Sequence, residues 1–285
     1  MGIRIVTDST AYLTSKQIND FNIQVVPLAV ILENDNFREG TTYSNSEFFD
    51  KLRNSTEAVT TSQPPAGDFL KVYKEIHEEG DEIISIHLSS ELSGAFNNAK
   101  STATLLPEAK ISMFDSKSTI SGLQAMTIHA AKAAKAGYSR AEIIKMLELM
   151  RDNATVLFLV DTLEYLKRGG RIGGAQALLG TILQIKPILH IHEGKIDVFE
   201  KVRTKQKALF RLKSVFTKFI EENGTKGLWV TIPQVDTLEE AKELRNELND
   251  LYPELEINLQ DVGPVIGAHV GPGSIGISFG KLPPL

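Results

Sequence analysis

The 285-residue sequence contains no cysteine, which excludes disulfide bonds and thiolate metal sites. It also lacks an apolar run of the roughly 20 residues that a membrane-spanning helix needs. The longest apolar stretch, residues 177–191, is interrupted by Gln184, Lys186 and Pro187. At the N-terminus, Arg4 comes too early for the apolar core of a signal peptide. We therefore expect a cytoplasmic protein with no integral membrane segment.

The charge is negative overall and unevenly distributed. A formal net charge of -5 argues against a general nucleic-acid binder. Residues 167–213 nevertheless carry eleven lysines and arginines against three acidic residues. This segment predicts either an anionic partner or an ordinary solvated helix face around residues 205–213. Within residues 201–213 the only aromatic residue is Phe210, so we expect no nucleic-acid partner.

The first half of the chain alternates β-branched runs with helical patterns, which is typical of βαβ units and a parallel sheet. Two capping boxes, Ser44 with Glu47 and Ser139 with Glu142, predict helix starts. The predicted strands are residues 3–6, 23–30, 82–88, 110–114 and 155–160.

The second half begins after Asp161 and has a different pattern of predicted strands and helices. A tight Glu193-Gly194 turn predicts a hairpin of residues 186–191 and 195–200, so this sheet should be mixed or antiparallel. Helices are predicted from Thr204 and Thr237, and further strands at residues 227–232, 255–262 and 274–279. The fold class is therefore α/β with two domains, an N-terminal parallel-sheet domain of residues 1–155 and a C-terminal α/β domain of residues 156–285.

Polar residues follow several predicted strands, where open parallel sheets bind ligands. Asp8 and Ser9 follow the first strand, but capping of the next turn is the favoured interpretation, so they receive a supporting role. Asp115 and Ser116 follow another strand, and orientation of neighbouring loops explains Asp115 equally well.

Three hydroxyl-bearing residues are stronger candidates for binding an anion. Thr61, supported by Ser62, precedes a helix whose free N–H groups favour a carboxylate, although a simple N-cap is the favoured alternative. Ser93 lies at a predicted helix start, where its hydroxyl can donate to a bound acid. The adjacent Gly94 allows close backbone approach to a ligand.

One histidine, His269, lies within the glycine-rich segment 263–276, which predicts a turn and does not match a phosphate-binding loop. Its imidazole can donate to a carboxylate, and a satisfied buried histidine is an equally weighted alternative. A hydrolase triad using Ser93 is weakly supported, because no Gly-x-Ser-x-Gly elbow is present. Only His190 and His192 are close together among the histidines, so we expect no metal.

Taken together, several ordered motifs resemble those of the DegV family, whose members include the fatty-acid-binding subunits of bacterial fatty acid kinases. The most specific are the Leu-Lys-Arg-Gly-Gly-Arg-Ile run and the glycine-rich histidine segment. The matching motifs are residues 6–9, 61–64, 93–94, 114–116, 161–172 and 263–276.

The resemblance implies an apolar tunnel near the domain junction that encloses one acyl chain. Thr61, Ser93 and His269 are then expected at the carboxyl group of the fatty acid, and Arg171 and Arg203 are expected to face a kinase. Both arginines lie within the cationic segment.

The function that the resemblance implies is binding of a single long-chain fatty acid and its presentation to a separate ATP-dependent fatty acid kinase. The acyl phosphate product would stay bound to this chain, which would need no catalysis or cofactor of its own. A transient contact with a membrane surface is compatible with this role. The alternative is a stand-alone hydrolase or phosphotransferase using Ser93 and His269.

Overall fold

The computed structural model describes residues 2–32, 35–40, 43–55, 57, 59–179 and 185–285. Its strands are β1 (Ile3–Asp8), β2 (Gln24–Val26), β3 (Ala29–Leu32), β4 (Asp35–Arg38), β5 (Thr60–Ser62), β6 (Glu82–His87), β7 (Ile111–Asp115), β8 (Thr155–Leu159), β9 (Lys186–His192), β10 (Lys195–Val202), β11 (Leu228–Gln234), β12 (Ile257–Asp261) and β13 (Ile275–Lys281).

The helices alternate with these strands, and two short 3-10 turns, Ser9–Ala11 and Gly173–Leu178, accompany them. The α-helices are α1 (Ser15–Phe21), α2 (Asn45–Asn54), α3 (Ala66–Glu78), α4 (Ala95–Ala103), α5 (Ile120–Lys135), α6 (Arg140–Asn153), α7 (Glu164–Arg168), α8 (Lys205–Asn223), α9 (Leu238–Leu251) and α10 (Pro264–Val270).

The first sheet is parallel, with the strand order β2-β1-β6-β7. Its central strand β6 is buried on both faces, because α3 and α4 pack on one side and α5 on the other. Continuous apolar strands of this kind are typical of covered parallel sheets. The predicted N-terminal parallel sheet is therefore confirmed.

The second sheet is mixed, with the order β10-β9-β8-β13-β11-β12. Among the strands that the structure describes in this sheet, only β11 and β12 pair in parallel, and the other pairs are antiparallel. Glu193 and Gly194 both have positive φ, at 49° and 85°, as a two-residue hairpin turn between β9 and β10 requires. The predicted hairpin and mixed sheet are confirmed.

Two strand predictions were wrong in detail. The single strand predicted for residues 23–30 is two strands in different sheets, because Pro27 separates them and offers no N–H to continue a ladder. Residues 155–160 do not extend the parallel sheet; β8 pairs antiparallel with β13 and β9. A third, antiparallel sheet of order β4-β3-β5 was not predicted.

Helix α5 lies between the two large sheets. It contacts β1 and β6 on one side and β8, β11 and β13 on the other. Its sequence is rich in alanine, and Gly122, Ala130 and Ala133 are buried. Because these side chains are small, both sheets can approach α5 closely. Helix α5 therefore sets the distance between the two sheets.

The predicted helix starts are confirmed, including both capping boxes and the helix after Thr204. The domain boundary near residue 155 stays a prediction. No helix among the described ranges is long and apolar enough to cross a membrane. Residues 180–184 of the apolar stretch 177–191, Gln184 among them, lie outside the described residues.

Candidate functional site

A cavity of about 340 Å³ lies between the carboxyl edge of the parallel sheet and the inner face of the mixed sheet. This volume falls within the range of about 300 to 1,000 Å³ that is usual for small-molecule sites. Most of the lining is apolar. Leu28, Leu88, Ile120, Val156, Phe158 and Val265 are among the lining residues.

His269 lies in this lining, on the last turn of α10. The sequence had placed it in a glycine-rich turn, and that placement was wrong. Pro264 at the first helical position favours helix initiation, and Gly271 ends the helix with a φ of 78°. The helix is buried throughout, so the imidazole is held on a rigid element and is 8% exposed.

Thr61 is the partner of His269, with 2.8 Å between Thr61 Oγ1 and His269 Nε2. Thr61 lies on β5 opposite Val30 of β3. The favoured alternative, an N-cap role for Thr61, was wrong: α3 begins at Ala66, after Pro65, and no side chain caps it. An edge strand of the third sheet therefore brings the hydroxyl to the histidine across a sequence separation of 208 residues.

The electrostatic environment keeps the imidazole neutral. Burial, followed by the positive charge of Arg171, lowers the pKa of His269 to about 4. A neutral imidazole has one N–H donor and one acceptor nitrogen. Nδ1 is buried without a hydrogen-bond partner within the described chain, and a Cβ added to Gly169 would lie 2.1 Å from it.

Ser93 and Gly94 line the same cavity at the start of α4. Ser93 Oγ accepts a hydrogen bond from the N–H of Ala95 at 3.2 Å, which leaves the hydroxyl proton available to a ligand. A Cβ added to Gly94 would lie 2.0 Å from Gln63 Oε1, so a larger residue there would displace the end of the Gln63 side chain. Sequence reasoning missed Gln63 as a lining residue; its place beside Thr61 was the available signal.

Arg171 also lines the cavity, and its expected contact with a kinase stays a prediction. Its Nε donates to the carbonyl of Leu92 at 3.3 Å and its Nη1 to the carbonyl of Gly169 at 2.7 Å. These bonds fix a positive charge close to His269. Arg203, by contrast, is exposed beyond the end of β10 and lies outside the cavity lining.

The five supporting residues separate into two groups. Ser62 lines the cavity, whereas Asp8, Ser9, Asp115 and Ser116 are not among its described lining residues. Asp8 caps the first 3-10 turn through Thr10, which confirms the capping interpretation for Asp8. Ser9 does not cap this turn; its Oγ accepts a hydrogen bond from the N–H of Leu28 at 3.1 Å. Asp115 accepts bonds from Ser90 and Lys117, and so orients neighbouring loops.

A second polar cluster aligns Asp8, His87 and Ser85 like a hydrolase triad. His87 Nδ1 lies 3.1 Å from Asp8 Oδ2, and His87 Nε2 lies 2.7 Å from Ser85 Oγ. All three side chains are fully buried, and the hydroxyl of Tyr73 lies 2.7 Å from Ser85 Oγ. With no exposed nucleophile, this network serves the core of the parallel sheet.

Comparison with known proteins matches a DegV family model to residues 2–281. The chain belongs to the DegV family. A DegV domain-containing protein of Listeria innocua is 38% identical, over 97% of this chain and 98% of its own. Protein DegV of Bacillus subtilis is 36% identical, over 98% and 99% of the two chains.

Two solved structures share this fold closely. A DegV family protein from Thermus thermophilus, described for its fatty acid binding, superposes with a TM-score of 0.92 at 34% identity, covering 99% of this chain and 100% of its own. DegV of Bacillus subtilis, described as a fatty acid binding protein, gives 0.92 at 34%, covering 99% of each chain. Family membership and the α/β fold class are therefore confirmed for this DegV protein.

Proposed function

We propose that this DegV protein binds one long-chain fatty acid in the cavity and presents its carboxyl group to a separate ATP-dependent kinase. The observation that carries the proposal is the Thr61–His269 pair, joined at 2.8 Å in a mostly apolar lining. The fatty-acid-binding descriptions of its relatives from Thermus thermophilus and Bacillus subtilis support the same ligand class.

The two parts of the lining suit the two parts of a fatty acid. Apolar walls favour the tail, because each buried methylene contributes about 0.8 kcal/mol. A carboxyl group entering the same space needs hydrogen-bond donors to offset its lost hydration. Thr61, Ser93 and His269 line the cavity and carry such donors.

Arg171 adds charge complementarity at this end of the cavity. His269 is neutral because its pKa is lowered to about 4, so it contributes a hydrogen bond rather than a charge. The guanidinium of Arg171 is fixed beside it and favours the ionised carboxylate. The carboxylate is also the form that attacks phosphorus.

In the kinase reaction, a carboxylate oxygen would form a bond to the γ-phosphorus of ATP while the bond from that phosphorus to the ADP oxygen breaks. The kinase would supply ATP and its metal ion. The acyl phosphate would keep its tail in the same apolar walls, so retention of the product follows from the affinity for the substrate.

Mass spectrometry of the intact protein, purified from lipid-containing cells, tests the lipid-binding part. We expect a species heavier by one fatty acid, which denaturing extraction releases unchanged. An empty protein that also fails to take up added fatty acid would overturn the proposal. The kinase part is tested by adding ATP with and without candidate kinases from the same cells: acyl phosphate should form only when a kinase is present.

The alternative of a hydrolase using Ser93 and His269 has less support. Nε2 of His269 is bonded to Thr61 rather than to Ser93, and no carboxylate faces Nδ1 within the described residues. A general base in a triad needs both relationships. Hydrolysis of acyl esters by the isolated chain, abolished by Ser93→Ala, would favour that alternative.

A further inference from the structure

Two buried hydroxyl groups in the cavity lining have no hydrogen-bond partner among the described residues. Thr119 is 4% exposed and Ser278 is fully buried, yet neither Thr119 Oγ1 nor Ser278 Oγ is paired. Both residues line the cavity that contains His269. Buried hydroxyl groups are almost always satisfied, so two open ones in one cavity indicate a missing polar ligand atom.

The fold brings these two hydroxyls to the same part of the cavity. On β13, Gly276 and Ser278 point to the inner face of the mixed sheet, and Ser278 lies opposite Val156 of β8. A Cβ added to Gly122, on the first turn of α5, would lie 3.7 Å from Val156 Cγ2. Thr119 is the residue immediately before this turn, and it lines the same cavity as Val156 and Ser278.

The start of α5 reinforces the polarity of this region. Thr119 is the N-cap residue of the 16-residue helix, but its side chain makes no capping bond. The first N–H groups of a helix carry partial positive charge and favour an acceptor atom. An oxygen placed here could accept from Thr119 and donate to Ser278, since a hydroxyl does both.

The region is well separated from the carboxyl end. Ser274 is tied to α10 through bonds to the carbonyls of Val270 and Gly271. Ser278 lies four residues further along β13, which corresponds to about 13 Å of extended strand. That reach places the two hydroxyls opposite the middle of a long acyl chain rather than its carboxyl group.

We propose that Thr119 and Ser278 form a second polar subsite, which binds a hydroxyl group carried in the middle of the acyl chain. This inference rests on the proposed function and narrows it: the ligands include mid-chain hydroxylated long-chain fatty acids. An unsubstituted chain leaves both hydroxyls unpaired, whereas a mid-chain hydroxyl satisfies both.

Competitive displacement of a fluorescent fatty acid from the delipidated protein tests the subsite. Octadecanoic acid is compared with its mid-chain and terminal monohydroxy derivatives. We expect mid-chain derivatives to bind about threefold to tenfold more tightly than the terminal one, the gain expected from one or two hydrogen bonds. Affinity that does not depend on hydroxyl position would overturn the subsite.

The double variant Thr119→Val with Ser278→Ala removes both hydroxyls with little change in shape. It should lose the preference for mid-chain derivatives while binding octadecanoic acid at least as well as before. Thr127→Val is the matched control on α5, because Thr127 Oγ1 is satisfied by the carbonyl of Leu123 and lies outside the cavity lining. This control should retain the preference.

The two failures are distinguishable. Binding of octadecanoic acid without a positional preference removes the subsite and leaves the proposed function standing. Absence of binding for every acid overturns the proposed function and the subsite with it. An unchanged preference in the double variant also overturns the subsite, and circular dichroism of both variants establishes that they are folded.

Discussion

Glu39 and Val265 join the end of the third sheet to the helix that carries His269. Glu39 Oε1 accepts a hydrogen bond from the N–H of Val265 at 2.7 Å, at the second position of α10. Tyr12 donates to the same oxygen at 3.1 Å. A carboxylate at a helix start is favourable, but this one is 7% exposed, and burial raises its pKa to about 7.

Replacing Glu39 with glutamine should change how stability depends on pH. The folded-state pKa of Glu39 is about 7 against an ordinary 4.5, so folding takes up a proton between these values. The contribution of Glu39 to stability therefore falls as pH rises through this window, by about 3 kcal/mol. In urea denaturation, the variant should become more stable relative to the wild type between about pH 5 and about pH 8.

Glu142→Gln is the control for this experiment. Glu142 is exposed, and its hydrogen bonds from Ser139 lower its pKa below the ordinary value. Its contribution to stability is therefore lost only in more acidic solution, as pH falls below its unfolded-state pKa of 4.5. A stability difference between wild type and Glu39→Gln that stays constant with pH would contradict a raised pKa at Glu39.

Thr61→Val should weaken fatty acid binding while keeping the shape of the side chain. The substitution removes the hydroxyl that lies 2.8 Å from His269 Nε2 and leaves that nitrogen unpaired. We expect a loss of about tenfold in affinity, measured by displacement of a fluorescent fatty acid. Thr60→Val, the exposed neighbour on the same strand, should bind normally. Equal affinity for both variants would remove Thr61 from the site.

The large sheets were predictable because their signals are local. Capping boxes and the Glu193-Gly194 turn act within a few residues and formed as expected. Most apolar runs became strands, although Pro27 divides the run at residues 23–30. Sheet membership is not local, which explains the error at β8. Its sequence is compatible with either sheet, and only the antiparallel pairing with β13 decides between them.

The sequence predicted the residues that line the cavity better than it predicted the elements that carry them. Thr61, Ser93 and His269 do line one cavity, yet the sequence placed Thr61 at a helix cap and His269 in a turn. The third sheet consists of three-residue and four-residue strands, too short to give a clear period. Arg171 faces the cavity because the carbonyls of Leu92 and Gly169 hold it there, a contact between distant segments.

Gly169→Ala should disturb His269 by steric contact alone. Gly169 has a φ of -74°, which alanine adopts without strain, but the new Cβ would lie 2.1 Å from His269 Nδ1. The imidazole must then move from Thr61, at a cost of about 1 to 3 kcal/mol in stability and with loss of fatty acid affinity. Chemical denaturation and ligand displacement measure the two effects.

Gly67→Ala is the matched control for this steric prediction. Gly67 lies in the first turn of α3, and a Cβ there meets nothing within 4 Å. Alanine should leave binding unchanged and raise stability by about 0.5 to 1 kcal/mol, because it restricts the unfolded chain and favours the helix. Normal fatty acid affinity in Gly169→Ala would show that the imidazole position does not matter for binding.

Arg171→Ala should raise the pKa of His269, because the guanidinium is the second cause of its lowered value. Burial is the larger cause and remains, so the pKa should stay below the ordinary 6.5. An NMR titration of the imidazole in the ligand-free protein measures the change.

Arg203→Ala should leave this pKa and the fatty acid affinity unaltered, because Arg203 is exposed and outside the lining. If Arg203 contacts the kinase, Arg203→Ala should slow only the formation of acyl phosphate. An equal change in the pKa of His269 in both variants would contradict the placement of Arg171 beside it.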